Sequence, residues 1–325
     1  EREFERYGVH ISRQDMANWT IQCAERYLAI MYDYLHSKLY TFSVLQADET
    51  TVFVNKDGRP AGSKSYMWLY RTVESVQKEQ ILLYEYQKTR NSNHPRTFLK
   101  SFHGICITDG YQVYHTLEQE REDLQIAGCW AHVRRRYDEA LKALPKEKRN
   151  QSTAHRGLVM IQAIYRNEKP LKELSAEERR ERRQLSVKPL VEAYFTWVHA
   201  TIGQVMPKSK LWEGLNYSIN QERYLKVFLE NGNVPIDNNA SERSIRSFCI
   251  GRKNFVMIDT LHGAAASAII YSIAETAKAN GLKPYEYFEL LLTEIPKHLD
   301  DDDLNFCEKL LPWSKDLPEK CRKKQ

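Results

Sequence analysis

Three carboxylates in this sequence have the type and placing for metal-assisted chemistry: Asp48, Asp109 and Glu242. Asp48 ends the stretch Ser43-Val44-Leu45-Gln46-Ala47, and Asp109 follows Gly104-Ile105-Cys106-Ile107-Thr108. Both stretches read as core strands, where a carboxylate is costly to bury unless it is paired or binds a metal. Taken singly, each aspartate also reads as the cap of a strand-end turn, Thr108-Asp109-Gly110 above all. Their order is more telling. In a sheet built as three strands, a helix and a fourth strand, the first and fourth strands are neighbours, so their carboxylates would meet at one edge. Two hard divalent cations need about three converging carboxylates. The third should come from a later helix, and Glu242 stands at the start of one, just after Asp237-Asn238-Asn239. Glu213, Glu222 and Glu230 fall in a helical stretch without such a context. Metals held there would lower the pKa of an attacking water or 3′-hydroxyl and clamp the charge of a scissile phosphate.

Basic residues accompany these positions. Arg243, Arg246, Arg252 and Lys253 surround Glu242 on its helix and beyond it. Arg246, four residues on, shares the helix face of Glu242. A salt bridge and a contact to nucleic-acid phosphates are both open readings. His132, Arg134 and Arg135 follow Cys129-Trp130 and are expected beside the acidic site, within reach of phosphates. Cys129 and His132 also form half of a Cys-x-x-His zinc pattern, but no second pair at matching spacing completes four ligands. No Gly-rich phosphate loop, Gly-x-Ser-x-Gly elbow or Cys/His/Asn nucleophile set occurs, which argues against nucleotide hydrolysis and acyl transfer.

The elements that must position these residues read as α/β. Ser12 caps a helix with Asp15 at its third position, and Met16, Trp19, Cys23 and Tyr27 recur at helical spacing as its apolar face. Arg13 and Gln14 at its start are what the second half of a helix-turn-helix presents to DNA, although an ordinary amphipathic helix fits equally. Strands are expected at 43–54, 65–72, 80–86, 104–108 and 125–130, with the Asp57-Gly58 turn after the first. Helices follow at 94–102 and 131–143. From 145 to 234 the strand signal disappears and apolar positions recur only at helical spacing. Ser175-Ala176-Glu177-Glu178 is a capping box there, and the run Arg179 to Arg183 reads as a solvated helix face. Further helices are expected from 240, over 268–279 and over 284–293. The acidic stretch Asp300 to Asp303 then reads as a flexible link to a basic tail, Lys320 to Lys324.

Composition bounds the reading without deciding it. The chain has 325 residues, 42% apolar and 28% charged, with a net charge of +5 that permits a polyanionic partner without demanding one. No stretch nears the roughly 18 apolar residues of a membrane span. The first residues do not resemble a secretory signal, and the missing initiator Met leads us to expect further residues upstream. Six cysteines without framework spacing read as reduced thiols in a cytoplasmic protein.

Four passages together resemble the insertion sequence 66 family of bacterial transposases over essentially the whole chain. They are Gln46-Ala47-Asp48-Glu49-Thr50, Thr108-Asp109-Gly110-Tyr111, Gly128-Cys129-Trp130-Ala131-His132-Val133-Arg134-Arg135, and Ile236 to Arg246 with Gly251-Arg252-Lys253-Asn254 behind it. The resemblance implies a ribonuclease-H-like mixed five-stranded sheet with flanking helices and a large helical insertion between strand five and the last catalytic helix. It implies a DDE triad of Asp48, Asp109 and Glu242 holding two Mg²⁺ (or Mn²⁺), for cleavage of element ends and strand transfer into target DNA. The spacings are 61 residues from Asp48 to Asp109 and 133 from Asp109 to Glu242. The organisation expected is an N-terminal helical segment with a partial helix-turn-helix at 1–38, the core at 39–144 and 235–282, the insertion at 145–234, and a C-terminal segment and tail at 283–325. Lys283 to Trp313, with Leu311-Pro312-Trp313, is similar to the family's C-terminal segment. The implied partners are DNA, further copies of the chain assembled on DNA, and other element-encoded proteins, at the nucleoid and not at a membrane. Where the family has an aromatic after Asn220-Gln221, this chain has Glu222. Two other classes share the pattern: an inactive DNA-binding accessory protein derived from a transposase, and a metal-dependent nuclease without strand transfer.

Overall fold

The computed structural model describes residues 1–60, 62–74 and 78–323. Its principal elements in chain order are α1 (Arg13–Cys23), α2 (Ala29–Leu39), β1 (Val44–Lys56), β2 (Lys64–Thr72), β3 (Leu82–Gln87), β4 (Gly104–Ile107), α3 (Gln112–Glu120), β5 (Leu124–Ala127), α4 (Trp130–Lys142), α5 (Thr153–Glu168), α6 (Lys188–Ile202), α7 (Lys210–Glu230), α8 (Asn239–Phe255), β6 (Ile258–Thr260), α9 (Leu261–Ala279) and α10 (Pro284–Glu294). The architecture is mixed α/β. Two compact units divide it: Glu1–Phe42, Ala47–Phe102 and Ser241–Gln325 form one, Ser43–Gln46 and His103–Ala240 the other.

In the first unit the strand order is β3-β2-β1. Strands β2 and β3 are an antiparallel pair from Tyr66↔Gln87 to Arg71↔Leu82. A sixth strand, β6, lies parallel to the far end of β1, Val54 opposite Ile258, so the expectation of five strands is one short. Val52, Met67, Leu69, Leu82 and Tyr84 bury against Ile245 and Phe248 of α8 and Ala268 of α9. The free edge of β3 would be a row of unpaired backbone groups. Helix α9 covers it with side chains four residues apart. Ser272 Oγ accepts from the Tyr84 amide at 2.7 Å, and Thr276 Oγ1 bonds both the amide and the carbonyl of Leu82 at 3.0 Å.

The Ser12–Asp15 capping box forms as expected. Trp19, expected on the apolar face of α1, is 53% exposed, because α1 buries none of its residues. Helix α9 begins at Leu261, seven residues before its expected start, with Thr260 as its cap. The basic tail is pinned: Cys321 is buried, its carbonyl accepts from the Lys283 amide, and the Lys323 amide donates to the Gly281 carbonyl. Lys324 lies outside the described residues.

In the second unit the first residues of β1 pair in parallel with β4, Val44 opposite Ile105 and Gln46 opposite Ile107. Strand β5 then pairs with β4 on its other side. The four helices α4 to α7 pack around Trp130, whose indole meets Tyr194, Phe195 and Phe228 edge-on and donates Nε1–H to the Leu225 carbonyl. The charge run 179–183 is solvated at Arg180, Glu181 and Arg182 but not at its two ends. Arg179 and Arg183 are 6% and 1% exposed. Arg179 donates to the carbonyls of Leu171, Lys172, Leu174 and Gly232, which end the neighbouring segments. Arg183 clamps the buried Glu168 carboxylate and the carbonyls of Phe228 and Asn231. A guanidinium is buried stably only when its fork of donors is satisfied in this way.

Candidate functional site

In the first unit, the buried run of β1 ends at Asp48, which is half-buried. Its Oδ1 accepts from the Glu49 amide at 2.9 Å. Glu49 turns to Arg90, whose Nε donates to it at 2.7 Å. The next residues, Thr50 and Thr51, receive Arg252 from α8: Nη1 lies 3.2 Å from each threonine hydroxyl and also bonds the Thr51 carbonyl. The far end of α8 is thereby docked on the strand just past Asp48.

Glu242 is half-buried in the first turn of α8. Its helix face is that of Ile245, three residues on, which packs on the sheet. Two buried side chains that sequence reasoning passed over fix this turn. Arg71 Nη1 donates to Ser244 Oγ at 2.8 Å, and Tyr84 donates its hydroxyl to the Ser244 carbonyl at 2.7 Å. Arg71 also reaches Glu74 at 2.7 Å. Burial pushes the Glu74 carboxyl up, but Arg71 and Arg243 outweigh it and hold its pKa below the ordinary value. Arg243, Arg246 and Lys253 are exposed. At the start of α1, Arg13 pairs with Glu1 at 3.2 Å, and Gln14 donates to Asn18 at 2.9 Å.

In the second unit, Asp109 begins the turn after β4. Its Oδ1 accepts from the Tyr111 amide at 2.9 Å, and Gly110 takes φ 88°, which favours glycine. The Ile236–Asn239 turn is tied to the segment that opens α4. The Trp130 amide donates to the Ile236 carbonyl, and the Asn238 amide to Cys129 Sγ at 3.2 Å. Burial pushes the Cys129 thiol up to about 12. The Asp237 carboxylate accepts from the Tyr165 hydroxyl at 3.0 Å and from Asn239 Nδ2 at 2.8 Å. Arg135 stands 3.1 Å from His132 Nε2. Arg134 and Arg135 are exposed and line a cavity of about 330 Å³ with Asp138 and Gln162.

Three carboxylates are the donor chemistry that Mg²⁺ and Mn²⁺ take. Among the described residues, however, no group of three or more His, Cys, Asp or Glu side chains is assembled that could hold a metal ion. No described helix is long and apolar enough to cross a membrane.

Comparison with known proteins gives these segments a setting. The family model "Transposase IS66 family" matches residues 1–266, and the "IS66 C-terminal element" matches residues 272–313. The chain is 28% identical over 319 residues to the uncharacterized protein y4qI of Sinorhizobium fredii, covering 95% of this chain and 57% of that protein. It is 25% identical to the uncharacterized protein y4jD of the same organism, over 96% of this chain and 61% of the relative. The chain therefore spans little more than half the length of these relatives.

Proposed function

From the membership of this chain in the IS66 family of transposases, we propose that it carries a DDE catalytic core, with Asp48, Asp109 and Glu242 as the triad. What supports this reading, beside the family match, is the parallel pairing of Val44–Gln46 with β4: Asp48 follows the first of these paired stretches in sequence and Asp109 the second, each by two residues. Glu242 opens the helix that packs on the continuation of β1. We read the sheet as ribonuclease-H-like on the same grounds. Asp48, Asp109 and Glu242 would hold two Mg²⁺ or Mn²⁺, and the bound metals would activate the nucleophile and offset the developing charge on phosphate. The chain's own share is to fix the carboxylates: Arg71 and Tyr84 hold the first turn of α8, and Arg252 holds its far end to β1. The exposed Arg243, Arg246 and Lys253, together with His132, Arg134 and Arg135, are assigned to DNA phosphates, and Arg13 and Gln14 to the duplex beside them.

The test uses purified protein, labelled DNA carrying the element's own ends, and a target plasmid, with Mg²⁺, Mn²⁺ or chelator. Metal-dependent nicking at the ends, followed by joining to the plasmid, is the expected result. Nicking without joining would reduce the protein to a nuclease. DNA binding without any metal-dependent nicking would make it an accessory protein and overturn the proposal.

A further inference from the structure

The turn that carries Asp109 is gripped by a helix more than a hundred residues away in sequence. Tyr217 of α7 donates its hydroxyl to the Asp109 carbonyl at 2.6 Å. One helical turn on, Gln221 lies so close that a Cβ added to Gly110 would stand 2.8 Å from its Oε1 and 3.0 Å from the Tyr217 hydroxyl. With φ at 88°, position 110 has neither the space nor the backbone conformation for a side chain. The carboxylate is set from the other side, where the Tyr111 amide donates to Oδ1. The Tyr217 ring is itself held, with the Arg136 guanidinium 4.5 Å from its centroid.

We infer that Tyr217 is a positioning residue for Asp109, and that the Tyr217–Gln221 face of α7 is the surface against which the backbone turn carrying the second carboxylate of the triad is set. The helical stretch from 145 to 234 then acts on the chemistry through a hydroxyl, without supplying a carboxylate to it. This inference rests on the proposed role of Asp109. Losing a group that orients a metal ligand changes affinity or activity by about 10–100-fold.

Tyr217→Phe removes one oxygen and keeps the ring. Beside it, Asp109→Asn tests the role on which the inference rests, and Gly110→Ala crowds the α7 face while keeping the Tyr217 side chain itself unchanged. Three readouts are needed: single-turnover cleavage of labelled end DNA, Mn²⁺ binding followed by its electron paramagnetic signal, and hydrogen exchange of the peptide spanning 108–114. Tyr217→Phe should slow cleavage by about 10–100-fold at unchanged DNA affinity, weaken Mn²⁺ binding, and speed exchange at Gly110 and Tyr111. Gly110→Ala should shift all three in the same direction. Wild-type cleavage and wild-type exchange in Tyr217→Phe, with Asp109→Asn inactive, would overturn the inference and leave the triad standing. Full activity in Asp109→Asn would instead remove the triad role of Asp109, and this inference with it. Should Tyr217→Phe fail to fold, Gly110→Ala with normal rate and normal Mn²⁺ binding is the overturning result.

Discussion

Replacing Arg183 by Met should destabilise the second unit by about 3–5 kcal/mol, the usual cost of breaking a buried ion pair from one side. The structure supplies the reason. Arg183 is 1% exposed and Glu168 4%. The guanidinium donates to Glu168 from Nε at 3.1 Å to both oxygens, and from Nη1 to the carbonyls of Phe228 and Asn231. Met keeps most of the apolar stem but leaves a buried carboxylate alone and two carbonyls without their donor. Two orphaned carbonyls cost about 1–3 kcal/mol each, which is of the same order as that loss. Removing the charge from both sides, as Glu168→Leu with Arg183→Met, should cost less than Arg183→Met alone, because an apolar replacement of a buried pair is often close to neutral. Urea unfolding of the wild type, the two single variants and the double measures all of this. A loss below about 1 kcal/mol for Arg183→Met, the range of an exposed pair, would refute burial of this clamp and restore the solvated charge run.

Glu85 on β3 should make stability fall with rising pH: burial, opposed by Gln87, raises its carboxyl from 4.5 to about 7. Since the folded value is the higher one, its contribution is complete below 4.5 and is lost as pH rises through about 7, at a cost of about 2–3 kcal/mol. Glu85→Gln should flatten the dependence between pH 5 and 8 in urea midpoints, and an unchanged slope would count against it. For the basic residues around Glu242, Arg246→Ala should lower the salt slope of DNA binding by about one. Arg252→Ala, by contrast, should chiefly lower the melting temperature, since its guanidinium is spent on Thr50 and Thr51. A salt slope for Arg246→Ala equal to that of the wild type would remove Arg246 from the DNA surface.

Much of this architecture was legible because its signals are local. The Ser12 and Ser175 capping boxes, the runs of strand formers in β1 and β2, and the Asp237-Asn238-Asn239 turn are each written within a few residues, and each forms. What stayed hidden depends on partners far along the chain. A run such as Arg179–Arg183 reads as a solvated face until Glu168 and the carbonyls of 228, 231 and 232 are brought to it. Strand β6 is three residues long and exists by pairing with β1, so no periodicity announces it. Trp19 follows the helical stripe yet stays exposed, because spacing says which residues share a face and not whether anything covers that face. Arg71, Tyr84 and Tyr217, which hold the turns beside Glu242 and Asp109, carry no signature of their own. One available signal went unread: Ser272, Thr276 and Asn280 at intervals of four on an alanine-rich helix mark a hydroxyl and amide face, and it seals the edge of β3.

The central claim is that Asp48, Asp109 and Glu242 act as one metal-holding unit. Single-turnover cleavage of labelled end DNA in Mg²⁺ tests it most directly, run for Asp48→Asn, Asp109→Asn, Glu242→Gln and their pairwise combinations. Each single variant should lose on the order of a thousandfold or more, corresponding to several kcal/mol of transition-state stabilisation. The double variants should be no slower than the singles, as expected of residues that work together, with DNA binding retained throughout. Near-normal cleavage by Glu242→Gln would contradict the account, because the third carboxylate would then have to come from elsewhere in the chain.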